Sequence, residues 1–504
     1  MGIKTGQAYV ESLRDGRALY VNGERIKDVT QYLPYRGIVD EMAAHFDRPH
    51  DAKFHSRMTY PSPSDGAPVS NSFRLTENWD EMTARVTGET LRAEATYGLM
   101  GRLPDFMNAF VTDMAAVPQV LGRQDKAYAD NAHRYWEYCR DQDICLTHTL
   151  IDPRRDYSKG LDAQGALKYV GETDAGILVS GARMLSTLAP VSEEIFVGPF
   201  IPRHPGEEDY AVCFGLPVAT DGLKFIAREP YSGARNRFDR PLSERFDEGD
   251  ALALFDKVLV PWERVFVCRD ITAYNLLGPS FPGFLILQAN IRGRAKLRFL
   301  IGVASKMIDT LGRGEQAHYR SMMGEMFAAD EMADGLIEAS AREVLAHVKN
   351  EMPLTNKEDP NSSALFDASS SLFGSPDRGM VAASMLRFFI PQSNRKIADI
   401  IRLIGSSSLV MTPTLADFDN PETGPLLEKY INGATGSARD RVQLMKLAWD
   451  AVATQFGGRQ DIYEIFFSGD PELMRQLHYH TPRRDRYIGM VDQLLAESND
   501  THVR

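Results

Sequence analysis

The sequence lacks the cysteine content of a disulfide-stabilised or zinc-binding protein. Its 504 residues contain four widely spaced cysteines, Cys139, Cys145, Cys213 and Cys268. A disulfide framework or a structural zinc site needs more thiols at closer and more regular spacing. We therefore expect free thiols in a reducing compartment and no metal site.

Long apolar runs and basic blocks are also missing. No window approaches the roughly 18 consecutive apolar residues of a membrane helix, and residues 1–6 do not begin an apolar segment of the secretory type. A net charge of -12 without a lysine- or arginine-rich block argues against a nucleic-acid partner. These features predict a cytoplasmic protein that binds neither membranes nor nucleic acids.

A dinucleotide-binding fingerprint is absent as well. Gly312-Arg313-Gly314 lacks the third glycine and follows a helical pattern rather than a strand. We interpret it as a helix stop signal, because glycine commonly ends a helix. The chain therefore shows no NAD(P)H site of its own.

The composition is that of a globular protein, with 43% apolar and 25% charged residues. Its length suffices for two or three domains. We predict residues 1–148 to be a mostly helical domain, with helices at 77–103, capped by Thr76, and at 106–121.

Residues 149–275 are predicted to form a β-domain, because short β-branched and aromatic runs alternate there with Gly, Pro and Asp. The predicted strands are 176–179, 195–197, 210–214, 223–226 and 257–260. The charged segment 231–250 contains Gly and Pro and is predicted to be a surface connection.

Helical periodicity returns in residues 276–504, which we predict to form a four-helix bundle and tail. The predicted helices are 297–311, 332–348, 381–404 (kinked near Pro391) and 442–456 (capped by Ser437), with a long connection at 351–377. In the last helix Trp449 belongs to a long apolar stripe, which we expect a second subunit to cover.

Two short motifs carry the strongest functional signal. They are Gly101-Arg102-Leu103-Pro104-Asp105-Phe106 and Thr147-His148-Thr149-Leu150-Ile151-Asp152-Pro153. Pro104 and Asp105 suit the first turn of a helix, where proline is tolerated and a carboxylate is favoured. Arg102 then precedes a helix start, where its guanidinium and free backbone N–H groups can face an anion together.

These motifs resemble the oxygenase component of the two-component 4-hydroxyphenylacetate 3-monooxygenase family. Further segments that are similar to this family follow in the expected order: 181–190, 255–266, 447–450, 456–460 and 469–471. The resemblance implies an acyl-CoA dehydrogenase-like fold, mainly α with a central β-domain: a helical N-terminal domain, a β-barrel middle domain and a C-terminal four-helix bundle. It also implies that a neighbouring subunit completes the flavin site, and with the Trp449 stripe we expect a homotetramer that assembles through the bundle.

The resemblance further implies a reduced-flavin-dependent monooxygenase that hydroxylates an aromatic, phenol-like small molecule. FADH2, with FMNH2 left open, would react with O2 to give a C4a-hydroperoxide. A separate NAD(P)H-dependent flavin reductase would supply the reduced flavin by diffusion. A separate reductase fits the missing dinucleotide fingerprint, because this chain would then need no NAD(P)H site. The flavin performs the redox step, while the protein positions the substrate and shields the site from water.

By the same resemblance, Arg102 and His148 are the catalytic pair that hydrogen-bonds a phenolic oxygen. A fixed cation favours phenolate, and an imidazole can hold or exchange a proton near neutral pH. The implied flavin contacts are His148, Thr149, Leu150, Thr187, Phe456, Gly457, Gly458 and Arg459. Residues 456–459 resemble a glycine turn that packs on the flavin.

The chain departs from the family pattern on both sides of the predicted site. Where relatives carry a Gln and an Arg that contact the flavin, it has Arg154, Arg155 and Tyr157. On the substrate side, apolar residues replace a Tyr, a Ser-Thr pair and, relative to many members, a His: these are Phe106, Phe200, Ile201 and Leu287. We therefore expect a substrate other than 4-hydroxyphenylacetate.

Three alternatives were weighed against this interpretation. The related 4-hydroxybutyryl-CoA dehydratases need cysteine ligands for an iron–sulfur cluster near Arg102 and in the bundle, and no cysteine lies in 101–110 or after Cys268. An acyl-CoA dehydrogenase would need a glutamate base, which no motif supplies. A homologue without catalytic activity stays open, because a fold does not determine a function.

Overall fold

In this computed structural model the described residues are 2–153, 156, 158–233, 236–349, 380–467, 469, 471–479 and 482–499. The predicted connection 351–377 therefore lies outside them. None of the helices in these ranges is both long and apolar enough to cross a bilayer.

The N-terminal part of the chain is largely helical. Its helices are α1 (Gly6–Ser12), α2 (Arg36–Asp47), α3 (His55–Met58), α4 (Trp79–Ala95), α5 (Pro104–Ala115), α6 (Pro118–Leu121) and α7 (Lys126–Gln142). The predicted helix 77–103 is shorter than expected, because the Asn78 side chain, rather than that of Thr76, accepts from Glu81 N and caps its start. The predicted helix 106–121 is divided into α5 and α6 by a break before Pro118.

Four strands lie among these helices and a fifth follows them: β1 (Ala18–Val21), β2 (Glu24–Ile26), β3 (Thr59–Pro61), β4 (Pro68–Ser70) and β5 (Leu146–Thr149). The sequence pattern did not predict β1 and β2. The middle segment holds β6 (Lys168–Thr173), β7 (Gly176–Thr187), β8 (Glu194–Val197), β9 (Val212–Pro217), β10 (Leu223–Ala227), β11 (Asp250–Pro261) and β12 (Val265–Cys268), with the short helices α8 (Leu161–Gln164) and α9 (Ser243–Phe246).

The strands form two open sheets, so the predicted closed barrel is wrong. One sheet has the order β2-β1-β10-β11-β7-β6 and the other β12-β9-β8-β5, while β3 and β4 pair separately. Neither sheet joins its two edge strands to each other. The sheets instead bury a shared apolar core, in which Phe214 of β9 lies edge-on to Phe255 of β11.

The C-terminal part forms the predicted bundle. Its helices are α10 (Ile271–Leu277), α11 (Phe284–Thr310), α12 (Ala317–Val348), α13 (Val381–Gly405), α14 (Ser407–Val410), α15 (Leu415–Asp419), α16 (Gly424–Tyr430), α17 (Ala438–Val452), α18 (Gln455–Phe466), α19 (Pro471–Tyr479) and α20 (Pro482–Asn499). The long helix α11 packs against α12, α13 and α17.

Two further expectations about this part were wrong. The helix predicted for 442–456 ends at Val452, and Phe456 belongs to α18, because Thr454 caps a new helix. Its apolar stripe packs inside the chain: Met445, Val452 and Phe456 are buried in the core, and Trp449 packs against that core. The stripe therefore needs no second subunit to cover it.

Candidate active site

Arg102 stands immediately before α5, as predicted. The helix begins with Pro104 after Leu103, and Arg102 is buried. Its backbone N–H donates to Glu248 Oε1 at 2.6 Å. The anion beside this helix start is therefore a carboxylate of the same chain, and the Arg102 side chain points to a different partner.

That partner is His148, so the two residues predicted to form the catalytic pair lie together. The Nε of Arg102 donates to Nε2 of His148 over 2.7 Å. Strand β5 holds His148 opposite Phe196 of β8 in a parallel register. The ring of Phe106 completes the group, 3.9 Å from the Arg102 guanidinium carbon and with its centroid 5.6 Å from that of His148.

The proton of His148 is placed by this geometry. Arginine has no acceptor atom, so Nε2 of the imidazole must accept from Arg102. Burial, with the Arg102 charge adding to it, lowers the pKa of His148 well below its usual range, which keeps the ring neutral. The single imidazole proton is then on Nδ1, which is buried and has no hydrogen-bond partner among the described residues.

The residues predicted to touch the flavin from the sheet also converge here. Thr149 Oγ1 donates to Met184 O at 3.1 Å, and Thr187 Oγ1 donates to Asp250 Oδ1 at 2.7 Å. Leu150 is buried and its carbonyl accepts from Arg183. Arg154, Arg155 and Tyr157 lie outside the described residues.

The last residues of β7 form an apolar surface beside these threonines. Met184 and Leu185 are 40% and 51% exposed, although both are large apolar side chains within a strand. Leu185 also has a positive φ of 64°, which β-strand residues rarely adopt. The exposed apolar surface of Met184 and Leu185 lies next to a buried donor, His148 Nδ1, which has no acceptor among the described residues. Such a combination fits a planar cofactor with a polar edge, such as a flavin.

The bundle contributes the start of α18 rather than the predicted glycine turn. Phe456 and Gly457 lie in its first turn, where Thr454 Oγ1 accepts from Gly457 N at 3.2 Å. A Cβ on Gly457 would lie 2.9 Å from the backbone of Ala451, whereas Gly458 faces open space. Glycine is thus required at the first position by close packing between α17 and α18.

Arg459 binds two carboxylates that the sequence interpretation missed. Its Nη1 donates to Glu248 Oε2 and its Nη2 to Asp250 Oδ1, both at 2.9 Å. Arg228 also donates to Asp250, at 2.9 Å. Burial opposes ionisation of Asp250, but the guanidinium groups of Arg459 and Arg228 hold its pKa well below the usual range.

These carboxylates correct the prediction that 231–250 is a surface connection. Residues 242–243 and 246–250 are buried. The high charge of the segment suggested exposure, yet Asp247, Glu248 and Asp250 are buried, and arginines from outside the segment pair with them. Tyr463 was also missed, although it follows Arg459 by one helical turn and therefore shares its face of α18.

The substrate-side residues form an apolar boundary to the site. Phe106 and Leu287 are buried in one apolar cluster, and Phe200 packs against it. The start of α11, which carries Leu287, is capped by Asp113 of α5, whose carboxylate accepts from the backbone N–H groups of residues 283–285. Leu287 is thereby positioned relative to α5.

Phe200 and Ile201 line a cleft together with neighbouring residues of the same loop and of α10. Its lining residues are Pro199, Phe200, Ile201, Pro202, Tyr274, Asn275, Gly278 and Pro279. Reciprocal hydrogen bonds of 2.8 Å between Asn275 and the backbone of Arg203 anchor the end of the loop. The loop starts just after Val197, which pairs with Thr149, the residue that follows His148 in β5.

Family models match almost the whole chain. The model described as "4-hydroxyphenylacetate 3-hydroxylase N terminal" matches residues 5–267, and the corresponding C-terminal model matches residues 281–358 and 363–496. The 4-hydroxyphenylacetate 3-monooxygenase oxygenase component of Geobacillus sp. is 34% identical over 513 residues, covering 100% of this chain and 98% of the relative. The 4-nitrophenol 2-monooxygenase oxygenase component of a Rhodococcus species is 31% identical, covering 98% and 92%.

Solved structures give the same picture. The oxygenase component of 4-hydroxyphenylacetate 3-monooxygenase, complexed with FAD and 4-hydroxyphenylacetate, superposes with a TM-score of 0.86 at 33% identity and covers 98% of this chain and 99% of its own. An archaeal 4-hydroxybutyryl-CoA dehydratase from N. maritimus reaches a TM-score of 0.81 at 18% identity, covering 98% and 95%. The second likeness concerns the fold alone.

Proposed function

This chain belongs to the 4-hydroxyphenylacetate 3-hydroxylase family, and we propose that it is the oxygenase component of a two-component, FAD-dependent monooxygenase that hydroxylates a phenol. One observation carries the proposal. His148 presents a buried Nδ1–H for which the described part of the chain supplies no acceptor, while its other nitrogen accepts from Arg102. An unpaired buried donor is unfavourable unless a ligand supplies the acceptor.

A phenolic oxygen is a suitable acceptor for this donor. It would accept from His148 Nδ1, and the nearby positive charge of Arg102 would favour its phenolate form, which donates electron density to the ring. Phe106 would pack against the aromatic ring. In this scheme His148 holds its proton on Nδ1 throughout binding, because Arg102 occupies Nε2.

The cofactor would lie against the exposed apolar surface that Met184 and Leu185 form in β7, with Thr149, Thr187 and the start of α18 around it. Reduced FAD bound there supplies two electrons to O2, so that one oxygen atom enters the ring and the other leaves as water. The chain's own task is to orient the phenol and to exclude water. The buried apolar surroundings of Phe106 and Leu287 serve the second purpose.

We propose further that the substrate is not 4-hydroxyphenylacetate. Phe106, Phe200, Ile201 and Leu287 offer no side-chain hydrogen bond to a carboxylate or to a second ring substituent. A site that is apolar at these positions disfavours a charged substituent, because burying an unpaired carboxylate is costly. A neutral phenol fits these walls better.

The assay combines the purified chain with NADH, FAD, a separate flavin reductase and a panel of phenols. We expect product only when the reductase is present, with one oxygen atom of isotopically labelled O2 in the product. 4-Hydroxyphenylacetate should be a poorer substrate than phenols with neutral 4-substituents. Rapid NADH oxidation by the chain alone would contradict the two-component scheme, and preference for 4-hydroxyphenylacetate would contradict the substrate assignment.

We also propose that the chain acts as a cytoplasmic homotetramer, on grounds other than the Trp449 stripe. Apolar side chains of α20 are exposed: Ile488, Met490, Val491 and Leu495, at 41% to 64%. A contiguous exposed apolar face usually marks a protein contact. Light scattering at micromolar concentration should give four times the 56.4 kDa chain mass, and a monomer would contradict the proposal.

A further inference from the structure

Tyr463 of α18 lies at the centre of three arginines. Its ring centroid is 5.0 Å from the guanidinium carbon of Arg459, 5.1 Å from that of Arg292 and 5.2 Å from that of Arg102. Arg459 is held by Glu248 and Asp250, and Arg292 by Glu464. Each of these two arginines thus has a carboxylate partner, whereas the side chain of Arg102 donates to two neutral side chains of the described residues, His148 and Tyr463.

The hydroxyl of Tyr463 is one of those neutral partners. Arg102 Nη1 donates to Tyr463 Oη, and Tyr463 Oη donates to Gly101 O at 3.3 Å. Arg102 Nη1 also donates to Gly101 O, at 3.0 Å. The guanidinium is therefore held on one side by Tyr463 and Gly101, which leaves Nε directed at His148.

The glycine of the Gly-Arg motif is explained by this contact. A Cβ at residue 101 would lie 2.2 Å from Cζ and Oη of the Tyr463 ring. No side chain other than hydrogen permits that approach. Gly101 and Tyr463 are 362 residues apart in sequence, so neither motif alone reveals the pairing.

We propose that Tyr463 is a positioning residue, which orients Arg102 so that Nε donates to His148 Nε2 and confines the imidazole proton to Nδ1. The proposal rests on the proposed function and deepens it. It names the residue that keeps the proton on His148 Nδ1, the atom that would donate to the phenol. Tyr463 does so through its hydroxyl. Its ring has a separate packing role, stacked on Phe467 with centroids 5.3 Å apart.

Tyr463→Phe separates these two roles, since it removes the hydroxyl and keeps the ring. Tyr319→Phe is a matched control: Tyr319 Oη also accepts from an arginine Nη1, that of Arg313, over 2.9 Å. Arg313 follows the far end of α11, away from the site. Both variants lose one arginine–tyrosine hydrogen bond, so a general effect on stability should appear in both.

The deciding measurement is the protonation of His148 in the free protein. Nitrogen-15 labelling of the 11 histidines, with His148→Gln to assign the signal, reports which imidazole nitrogen carries the proton. The wild type should show the Nδ1–H tautomer. In Tyr463→Phe the signal should move toward the Nε2–H tautomer, and in Tyr319→Phe it should stay. An unchanged His148 signal in Tyr463→Phe would overturn the proposal.

Turnover provides a second readout. Tyr463→Phe should lower the ratio of hydroxylated product to NADH consumed about tenfold and raise H2O2 by the missing amount, with FAD affinity unchanged, because misplacing a substrate by a fraction of an ångström is costly. Equal losses in both variants would indicate a structural role only and overturn the proposal. The labelling result does not depend on turnover. Failure of the proposed function, in which no phenol is hydroxylated, is therefore distinguishable from failure of the Tyr463 proposal.

Gly101→Ala is a second route to the same test. The added methyl group must displace the Tyr463 ring. It should therefore shift the His148 signal in the same direction as Tyr463→Phe, while retaining every hydroxyl and charge. Wild-type His148 signals in a folded Gly101→Ala protein would contradict the assignment.

Discussion

Two polar clusters flank the start of α5, and they shift the pKa of their buried carboxyl groups in opposite directions. We call the first the Asp250 cluster; it comprises Thr187, Arg228, Glu248, Asp250 and Arg459. We call the second the Glu89 cluster; it comprises Arg85, Glu89, Asp105 and Gln288. Arg102 contacts the first through its backbone, and Asp105, three residues later, belongs to the second.

In the Asp250 cluster the carboxyl group of Asp250 stays ionised. Asp250 accepts from both arginines and from Thr187, and its pKa is depressed. In the Glu89 cluster burial dominates and raises the pKa of Glu89 to about 8, although Arg85 lies 2.9 Å away, and burial also raises the pKa of Asp105. Among the described residues, neither carboxylate oxygen of Glu89 has a hydrogen bond of good geometry, and Asp105 Oδ1 and Gln288 Oε1 have no hydrogen-bond partner.

The difference shows that a nearby arginine does not by itself keep a buried acid ionised. What matters is whether charge-assisted hydrogen bonds replace the lost hydration. The Asp250 cluster meets that condition and can hold fixed charges beside Arg102. The Glu89 cluster does not, and burial there raises the pKa of both Glu89 and Asp105.

The largest expected effect comes from breaking the Asp250 cluster. Asp250→Asn leaves two half-buried arginines short of a counter-charge, and we expect a loss of about 3–5 kcal/mol in the free energy of unfolding. Denaturant unfolding measures it. Asp256→Asn, an exposed position on the same strand, is the control and should cost far less. A loss below about 1 kcal/mol, the range of exposed ion pairs, would show that the pairing is weak.

The second expected effect is on catalysis. Arg102→Ala should lower product formation by about 10²-fold or more, the scale for removing one charged or acid–base group from a site. FADH2 binding should persist and H2O2 should increase as product decreases. His148→Ala should do the same and also weaken flavin binding, because its backbone neighbours line the proposed ring site. Hydroxylation at near wild-type rates in both variants would exclude the phenol-binding role.

The third expected effect concerns the Glu89 cluster and pH. Glu89 releases its proton near pH 4.5 in the unfolded chain and near pH 8 in the folded one. The stability contributed by the neutral carboxyl is complete below pH 4.5, decreases as pH rises and is lost above about pH 8. Glu89→Gln should therefore flatten the decline in unfolding free energy between pH 5 and pH 8.

The control for this pH measurement is Glu77→Gln, since Glu77 is an exposed acid just before α4. It should leave the wild-type slope unchanged. The same slope in wild type and Glu89→Gln would mean that Glu89 is already ionised in the fold, and the contrast between the clusters would disappear.

Local signals in the sequence were sufficient for much of the helical structure. Pro104 and Asp105 predicted the start of α5, Gly312 the stop after α11 and Ser437 the cap of α17, and all three are confirmed. These features depend on neighbours within a few residues, because helix ends are satisfied locally. Predictions that relied on periodicity alone, such as 77–103 and 442–456, ran past the true ends.

Long-range pairing decided what the sequence did not. The pairing of β1 with β10 in an open sheet joins residues about 200 positions apart. The alternation of apolar and polar residues along a strand does not reveal which strand it pairs with. The burial of segment 242–250 likewise depended on Arg459, which lies far along the chain. Charge alone suggested exposure, whereas Arg459 and Arg228 together compensate the buried carboxylates of the segment.

The sequence by itself determined the residue types of the site: an arginine before a helix, a histidine on a strand, apolar walls at Phe106 and Leu287. Tertiary structure decided that Arg102 meets His148, that Glu248 and Asp250 receive Arg459, and that Tyr463 fits over Gly101. The physical reason is that a side chain's protonation and direction depend on the partners that burial brings to it, and those partners come from elements separated by hundreds of residues.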